Sequence, residues 1–174
     1  MKIPPSEACQ VLDDRGVLKR HRQDHSARII EHVNDLIGGV MPADLEEFYK
    51  ERIYQVADFL AVSPIWNDHV GWRTDDSLVT RLLHAQAVPL FWDGCGSLYG
   101  LDLTVGESTP GVYFFDHEDE FARPRWAAGS SLGAFLLLLA EHDQALDEGR
   151  AAGWELSIDP DIDKCPRAPA LWLA

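Results

Sequence analysis

Cysteine is scarce in this chain of 174 residues. Cys9, Cys95 and Cys165 are an odd number, and no two of them have CxxC spacing. A disulfide framework or a structural zinc site requires paired, regularly spaced ligands, so neither is expected. Unpaired thiols are typical of reducing compartments. The sequence therefore predicts a cytoplasmic protein that carries no metal and no other cofactor.

Long apolar segments are missing as well. The longest one, Leu132 to Ala140, contains a glycine and is far shorter than the roughly 20 residues that span a bilayer. Residues 1–7 lack the apolar centre of a secretory signal. We therefore expect a soluble protein that does not bind membranes.

Positive charge is the third shortage. Lysine and arginine number 15 against 29 aspartates and glutamates, which gives a net charge of −14. Such a surface repels nucleic-acid phosphates and anionic lipids and attracts basic proteins. The simpler interpretation is that the charge serves solubility. With an apolar fraction of 46%, the chain is suited to one globular domain, residues 1–174, whose expected partner is a basic protein and not a nucleic acid.

Two helices are predicted in the first sixty residues. The segment from Asp24 to Ile37 has apolar residues at helical spacing and stops at Gly38-Gly39, a C-terminal helix signal. Pro42 suits the first turn of a second helix. Apolar residues continue on one face of that helix as far as Leu60. The pattern therefore predicts a long amphipathic helix from Pro42 to Leu60.

Strands are predicted in the second half, after a loop from Ser63 to Asp76. Short polar turns separate them, which favours antiparallel pairing, because parallel pairing needs a crossover of a dozen or more residues. A last helix follows, capped by Ser130 or Ser131 and running from Leu132 to Glu148. The fold class is α+β, with N-terminal helices, an antiparallel sheet of about four or more strands and a closing C-terminal helix packed on it. The predicted strands are Val88 to Trp92, Tyr99 to Leu103, Gly111 to Phe115 and Trp126 to Ala128.

Burial follows from the alternation in these strands. Leu101, Leu103 and Phe135 are expected in the core, with Asp102 more exposed. The last helix is apolar all round, so something must cover its outer side, where Leu137 and Leu138 point. The candidates are a C-terminal tail that folds back over it or, failing that, a homodimer contact. The tail residues concerned are Trp154, Leu156 and Ile158, or Leu171, Trp172 and Leu173.

Four segments, in this order, resemble the SUKH superfamily, which includes fungal cell-wall-assembly regulators and bacterial toxin-immunity proteins. The likeness covers about residues 29–139 and leaves out the first 28 residues and a C-terminal extension of about 150–174. Two features depart from the family pattern: the second helix lacks an Asn/Gly-rich stop, and Leu132 replaces the common Phe. The four segments are Met41 to Tyr49, Pro89 to Asp102, Val112 to His117 and Ala128 to Leu136.

The resemblance implies a non-catalytic domain that caps a toxin or scaffolds partners, with no active site to carry over. It identifies the chain as an immunity protein that neutralises a bacterial toxin, often a nuclease, by direct binding. A regulatory or scaffolding protein of the same fold is the first alternative. A small serine hydrolase is the second.

The hydrolase alternative depends on Gly129-Ser130-Ser131-Leu132-Gly133, which matches the G-x-S-x-G elbow. His142 is the one histidine downstream, and eleven helical residues place it about 16 Å from Ser131, beyond hydrogen-bond reach. A helix cap explains the motif better. Cys95 with His117 suggests a thiol nucleophile, but a small residue in a tight turn is the simpler interpretation.

Two patterns resemble metal sites and fail on their spacing. His21, His25 and His32 share one side of a helical wheel, but no Glu follows His21 as HExxH requires. The aspartates at 159, 161 and 163 resemble the start of a calcium loop. Lys164 and Ala170 then stand where that loop needs Gly and Glu. Neither pattern is taken as a metal site.

The densest acidic run, residues 116–120, is the candidate binding surface for a basic partner. A polar connection between two strands is the alternative interpretation. Tryptophans would supply the aromatic anchors that interfaces favour. The predicted partner-binding residues are Trp66, Trp72, Trp92, Asp116, His117, Glu118, Asp119 and Glu120.

Overall fold

A computed structural model describes residues 2–62, 76–104 and 110–167, with the backbone alone for residues 76–79. Helices and strands follow one another in the order expected of an α+β fold. The helices are α1 (Pro5–Asp14), α2 (Ser26–Ile37), α3 (Ala43–Lys50), α4 (Asp76–His84) and α5 (Leu132–Asp147). The strands are β1 (Leu18–Arg20), β2 (Ile53–Val56), β3 (Phe59–Ala61), β4 (Ala87–Trp92), β5 (Leu98–Asp102), β6 (Val112–Phe115) and β7 (Pro124–Gly129).

The strands form one antiparallel sheet in chain order, from β1 to β7. Gly100 lies opposite Tyr113 and Leu101 opposite Val112, so β5 and β6 pair antiparallel as predicted. The four predicted strands correspond to β4, β5, β6 and β7, and the α+β prediction is confirmed. Most neighbouring strands are joined by short connections, which makes sequential antiparallel pairing the simplest topology.

The predicted helix from Pro42 to Leu60 is wrong beyond Lys50. The chain turns at Arg52, whose φ is 55°, and continues as the hairpin of β2 and β3, with Ala57 at φ 47°. Ile53 and Val56 are β-branched and suit a strand, and Val56 pairs with Leu18 of β1. The apolar spacing of residues 51–60 is compatible with a helix and with a hairpin. Pairing with β1, which is distant along the chain, selects the hairpin.

One face of the sheet packs on α5. The ring of Phe135 lies 5.7 Å from Phe91 and 5.2 Å from Tyr99, centre to centre. The helix begins after Ser131, whose hydroxyl accepts the Ala134 N–H at 3.2 Å. The predicted closing helix and its cap are confirmed.

The opposite face of the sheet is covered too, and this overturns the exposure predicted for Asp102. Leu101 and Phe135 are fully buried and Leu103 is partly buried, but Asp102 is also fully buried. Helix α4, which was not predicted, brings Leu82 against Gly100 on that face. A strand between two covering layers buries both sets of alternating side chains.

The outer side of α5 is covered by the N-terminal residues. The carbonyl of Ile3 lies against Gly133 at the start of α5, and Arg15 pairs with Glu141 at 2.7 Å further along. Helix α1 therefore runs parallel to α5, and its Leu12 is fully buried. The predicted cover by the C-terminal tail or by a second copy is therefore wrong on this side, where α1 packs instead.

The C-terminal tail packs around β7 and reaches the other face of the sheet. Asp159 accepts the N–H and the hydroxyl of Ser130, both at 2.6 Å. Arg167 pairs with the buried Asp102 at 2.7 Å. Trp154 is buried and Leu156 is exposed, while Leu171, Trp172 and Leu173 lie outside the described residues.

Candidate functional site

Three connections lie together at one end of the sheet. Because neighbouring strands are antiparallel, every second connection of the meander returns to the same end. These are the β2–β3 turn at residues 57–58, the β4–β5 turn at residues 93–97 and the β6–β7 connection at residues 116–123. We call these three connections the acidic end. It contains all five residues of the predicted acidic run.

The β4–β5 turn is held by its own aspartate. The Asp93 carboxylate accepts the N–H groups of Cys95 at 2.8 Å and of Ser97 at 2.9 Å. Gly94 and Gly96 have φ values of 87° and 109°, which side-chain-bearing residues rarely adopt. Cys95 is thus the exposed small residue of a tight turn, in agreement with the simpler sequence interpretation.

Two aspartates of the acidic run stabilise the β6–β7 connection. Asp116 accepts the Glu118 N–H at 2.9 Å and caps a 3-10 helix, His117–Asp119. Asp119 pairs with Arg125 at 2.9 Å, and Asp116 lies 3.7 Å from the same guanidinium. These carboxylates are therefore engaged within the chain. They fix the shape of the connection more than they offer charge to a partner.

The outward charge of the run is carried by Glu118 and Glu120, which are both exposed. The side chain of Glu120 is 80% exposed, and its contact with Arg81 is long, at 3.9 Å. A pair so exposed contributes little to stability and leaves the carboxylate accessible. A binding surface here would present two glutamates on a connection shaped by Asp116, Asp119 and Arg125.

A hydrogen-bond network joins the two larger connections. The Ser97 hydroxyl lies 2.9 Å from His117 Nδ1 and accepts the His117 backbone N–H at 3.2 Å. It also lies 3.5 Å from an Asp116 oxygen. The His117 ring covers Gly96, where a Cβ would lie 3.4 Å from the ring. Sequence reasoning missed this network, although the Asp-His pair at a strand end opposite a Gly-x-Gly turn was a visible signal.

The Ser97–His117–Asp116 grouping does not have the geometry of a catalytic triad. In a triad the serine and the acid bind opposite ring nitrogens, whereas here both approach Nδ1. The hydroxyl is also shielded, since Ser97 is only 3% exposed. The arrangement fits a contact between two turns better than an activated nucleophile.

The serine and histidine of the G-x-S-x-G hypothesis have other roles. The Ser131 hydroxyl caps α5 and is buried. His142 lies 2.9 Å from Asp143 and packs its ring edge-on against Phe59. Both residues therefore have structural contacts that account for them.

The thiols of buried Cys9 and half-buried Cys165 are poor nucleophiles. Burial, with a smaller effect of Glu51, raises the pKa of Cys9 to about 12. Burial, and then Asp159, raises the pKa of Cys165 to about 11. A thiol is reactive as the thiolate, so both are inert near neutral pH.

Tryptophans reach the acidic end in a different set from the one predicted. Trp92 is half-buried at the end of β4, paired with Leu98. Trp66 and Trp72 lie outside the described residues. Trp126, which was not singled out, is half-buried beside the β6–β7 connection and stacks on Phe114 at 4.0 Å. It is a further aromatic candidate for an interface.

Within residues 2–62, 76–104 and 110–167, no group of three or more His, Cys, Asp or Glu side chains is arranged to hold a metal ion. His21 packs its ring against Tyr54, and His25 lies 3.0 Å from Gln23. Asp159 binds Ser130, and Asp161 pairs with Lys164. The two metal-like patterns thus have other local contacts.

None of the helices in the described part of the chain has the length and apolarity of a membrane span. A comparison with protein-family models, with curated proteins and with solved structures finds no match to this chain. The SUKH resemblance therefore stays a prediction.

Proposed function

We propose that this chain is a non-catalytic protein-binding domain that holds a basic protein at the acidic end, as the immunity partner of a bacterial toxin. One observation supports this most directly. Glu118 and Glu120 project from a connection whose remaining carboxylates are engaged in fixing its shape.

Pre-ordering favours binding at such a surface. A connection held by the Asp116 cap and the Asp119–Arg125 pair loses little conformational freedom when a partner docks, which improves affinity. The net charge of −14 adds long-range attraction for a basic protein and speeds the encounter. Half-buried Trp92 and Trp126 lie on strands that border these connections and supply aromatic area on opposite faces of the sheet.

The mechanism is occlusion. A nuclease holds phosphates in a basic cleft, and an acidic protein surface docked in that cleft competes with the substrate for the same cations. Neutralisation then requires no chemistry by this chain. It requires only that the complex dissociate slowly enough to keep the cleft occupied when nucleic acid is present.

Charge reversal tests the assignment of the surface. The tagged chain is purified from its own cells as wild type, as Glu118→Lys/Glu120→Lys and as the control Glu31→Lys/Asp35→Lys. The control changes the same charge on exposed positions of α2. We expect a basic protein to co-purify with wild type and control and to be lost from the first variant. Equal recovery with all three would place the interface elsewhere.

Protection in cells tests the immunity role. The recovered partner is expressed with and without this chain, and growth is measured. We expect the partner to be toxic alone, the wild type to restore growth and Glu118→Lys/Glu120→Lys to fail. A partner that is harmless alone would instead favour a scaffolding function.

A further inference from the structure

The network between Ser97 and His117 lies in the middle of the acidic end and contains a titratable ring. Ser97 is buried, whereas the His117 side chain is 47% exposed. Solvent protons can therefore reach the ring, although its Nδ1 contact is internal. The hydrogen bonds that the network can form after the ring gains a proton follow from the number of donors and acceptors on Ser97 and His117.

A serine hydroxyl has one proton to donate and two lone pairs to accept with. One lone pair of Ser97 accepts the His117 backbone N–H at 3.2 Å. The hydroxyl proton then has two possible acceptors, His117 Nδ1 at 2.9 Å and the Asp116 oxygen at 3.5 Å. The shorter distance favours Nδ1. We therefore assign the neutral ring as the tautomer that accepts at Nδ1 and carries its proton on Nε2.

A protonated ring donates from both nitrogens. Its Nδ1–H can use the second lone pair of Ser97, and the hydroxyl proton can turn to Asp116. That carboxylate lies 3.7 Å from Nδ1 and carries the opposite charge. Both protonation states therefore leave the buried hydroxyl hydrogen-bonded, so the change needs no unfolding of the two connections.

The charged groups around this ring come from its own connection and from three further elements. Four carboxylates lie in the ring's own connection, so one proton added to the ring changes the formal charge of residues 116–120 from −4 to −3. The β4–β5 turn contributes Asp93 and the exposed Cys95, and β7 contributes Arg125. Arg81 of α4 approaches Glu120. An imidazole gains its proton between about pH 8 and pH 5.

We propose that His117 makes binding at the acidic end pH-dependent, with the neutral ring favouring a basic partner and the protonated ring disfavouring it. The added positive charge lies on the residue directly before Glu118, so it repels the cations that this glutamate attracts. The effect on binding rests on the proposed function. The hydrogen bonds of the His117 ring concern the free chain alone and can be tested without a partner.

The structural part is tested by NMR on the 15N-histidine-labelled chain. Across a pH titration we expect the signal of the neutral His117 ring to be that of a ring protonated on Nε2, and the signal of the charged ring that of a ring protonated on both nitrogens. Ser97→Ala removes the hydroxyl donor and should shift the neutral ring towards the Nδ1–H form. A neutral wild-type ring protonated on Nδ1 would overturn the inference.

The functional part is tested with an octalysine peptide by calorimetry at low ionic strength. Only the binding that Glu118→Lys/Glu120→Lys abolishes is counted. For wild type we expect Kd to rise about three-fold from about pH 8 to about pH 5.5, as suits one exposed charge. His117→Gln should bind equally at both pH values, and the exposed His84→Gln, our matched control, should behave as wild type.

The outcomes separate the two proposals. Absence of peptide binding at both pH values would overturn the acidic end as a binding surface. Binding that is present but equal at both pH values, or a pH dependence that persists in His117→Gln, would overturn the role of His117 and leave the surface in place.

Discussion

At the scale of single residues, Gly133 is a position where the fold requires that there be no side chain. It lies in the first turn of α5, where the Ile3 carbonyl approaches its Cα so closely that a Cβ would collide with backbone. Glycine weakens a helix by about 1 kcal/mol relative to alanine. Its position here is explained by the N-terminal residues that cross it.

Gly133→Ala should therefore destabilise the chain, although helix propensity alone predicts the opposite sign. We expect a loss of about 1–3 kcal/mol, as for other overpacked sites, seen as a drop in Tm of several degrees. Gly39→Ala is the control, because its Cβ would meet only one atom, at 3.9 Å. A Tm that rises in Gly133→Ala would show that the N-terminal residues do not pack on α5.

A second residue-scale prediction concerns Cys9. Its folded pKa of about 12 exceeds the usual value of about 9, so between these pH values the folded thiol keeps a proton that the unfolded thiol loses. Rising pH then favours unfolding, with a slope of up to about 1.4 kcal/mol per pH unit. Below about pH 9 the thiol is protonated in both states and contributes no slope.

Urea unfolding from about pH 8.5 to about pH 11 measures this slope. Cys9→Ala should make the decline with pH shallower, whereas Cys95→Ala, which removes an exposed thiol, should leave it unchanged. The slopes are compared, and not the absolute stabilities, because Cys9→Ala also removes buried contact. Parallel curves for wild type and Cys9→Ala would contradict the prediction.

At the scale of elements, the tail is tied to the sheet by a buried ion pair. Arg167 contacts Asp102 at 2.7 Å and also donates to the Ala85 carbonyl at 2.8 Å, just beyond the end of α4. Thr104 donates its N–H and its hydroxyl to the same carboxylate. One guanidinium thus joins the tail, α4 and β5.

Arg167→Met should cost about 3–5 kcal/mol, because it leaves a buried carboxylate without its cation. Arg167→Met/Asp102→Asn removes the unpaired charge and should recover part of the loss. Urea unfolding of the two variants and the wild type measures both effects. A double variant no more stable than Arg167→Met would show that Asp102 is not the group left unpaired.

At the scale of the whole molecule, the net charge affects the rate at which a partner associates. The net charge of −14 acts beyond any one contact, and salt screens it within about 8 Å at physiological ionic strength. Long-range attraction affects association more than dissociation. The salt dependence of the two rates is therefore the signature of a charge-steered encounter.

Stopped-flow measurements with the co-purified partner should show this. Between roughly 0.02 M and roughly 0.5 M salt we expect the association rate to fall about ten-fold, with a much smaller change in dissociation. The Glu118→Lys/Glu120→Lys variant should associate more slowly at low salt and depend less on salt. An association rate independent of salt would exclude electrostatic steering.

The sequence by itself determined the class of the fold, the order of β4 to β7 and the start of α5. These depend on local signals: alternation along a strand, short polar turns and a serine before an apolar helix. Such signals act within a few residues, so they can be read without knowing what packs on them. The acidic run could be found in the same way.

Only the tertiary structure decided which of two locally equivalent outcomes each ambiguous segment takes. Residues 51–61 form a hairpin because its strand β2 pairs with β1. Asp102 is buried because α4 and Arg167 cover its face, and α5 is covered by α1. In the acidic run, Asp119 is engaged because it pairs with Arg125, and Asp116 is engaged because it accepts a backbone N–H of its own turn. Glu118 and Glu120 are left exposed. Each outcome depends on groups distant along the chain or on the detailed path of a turn, and no local pattern encodes either.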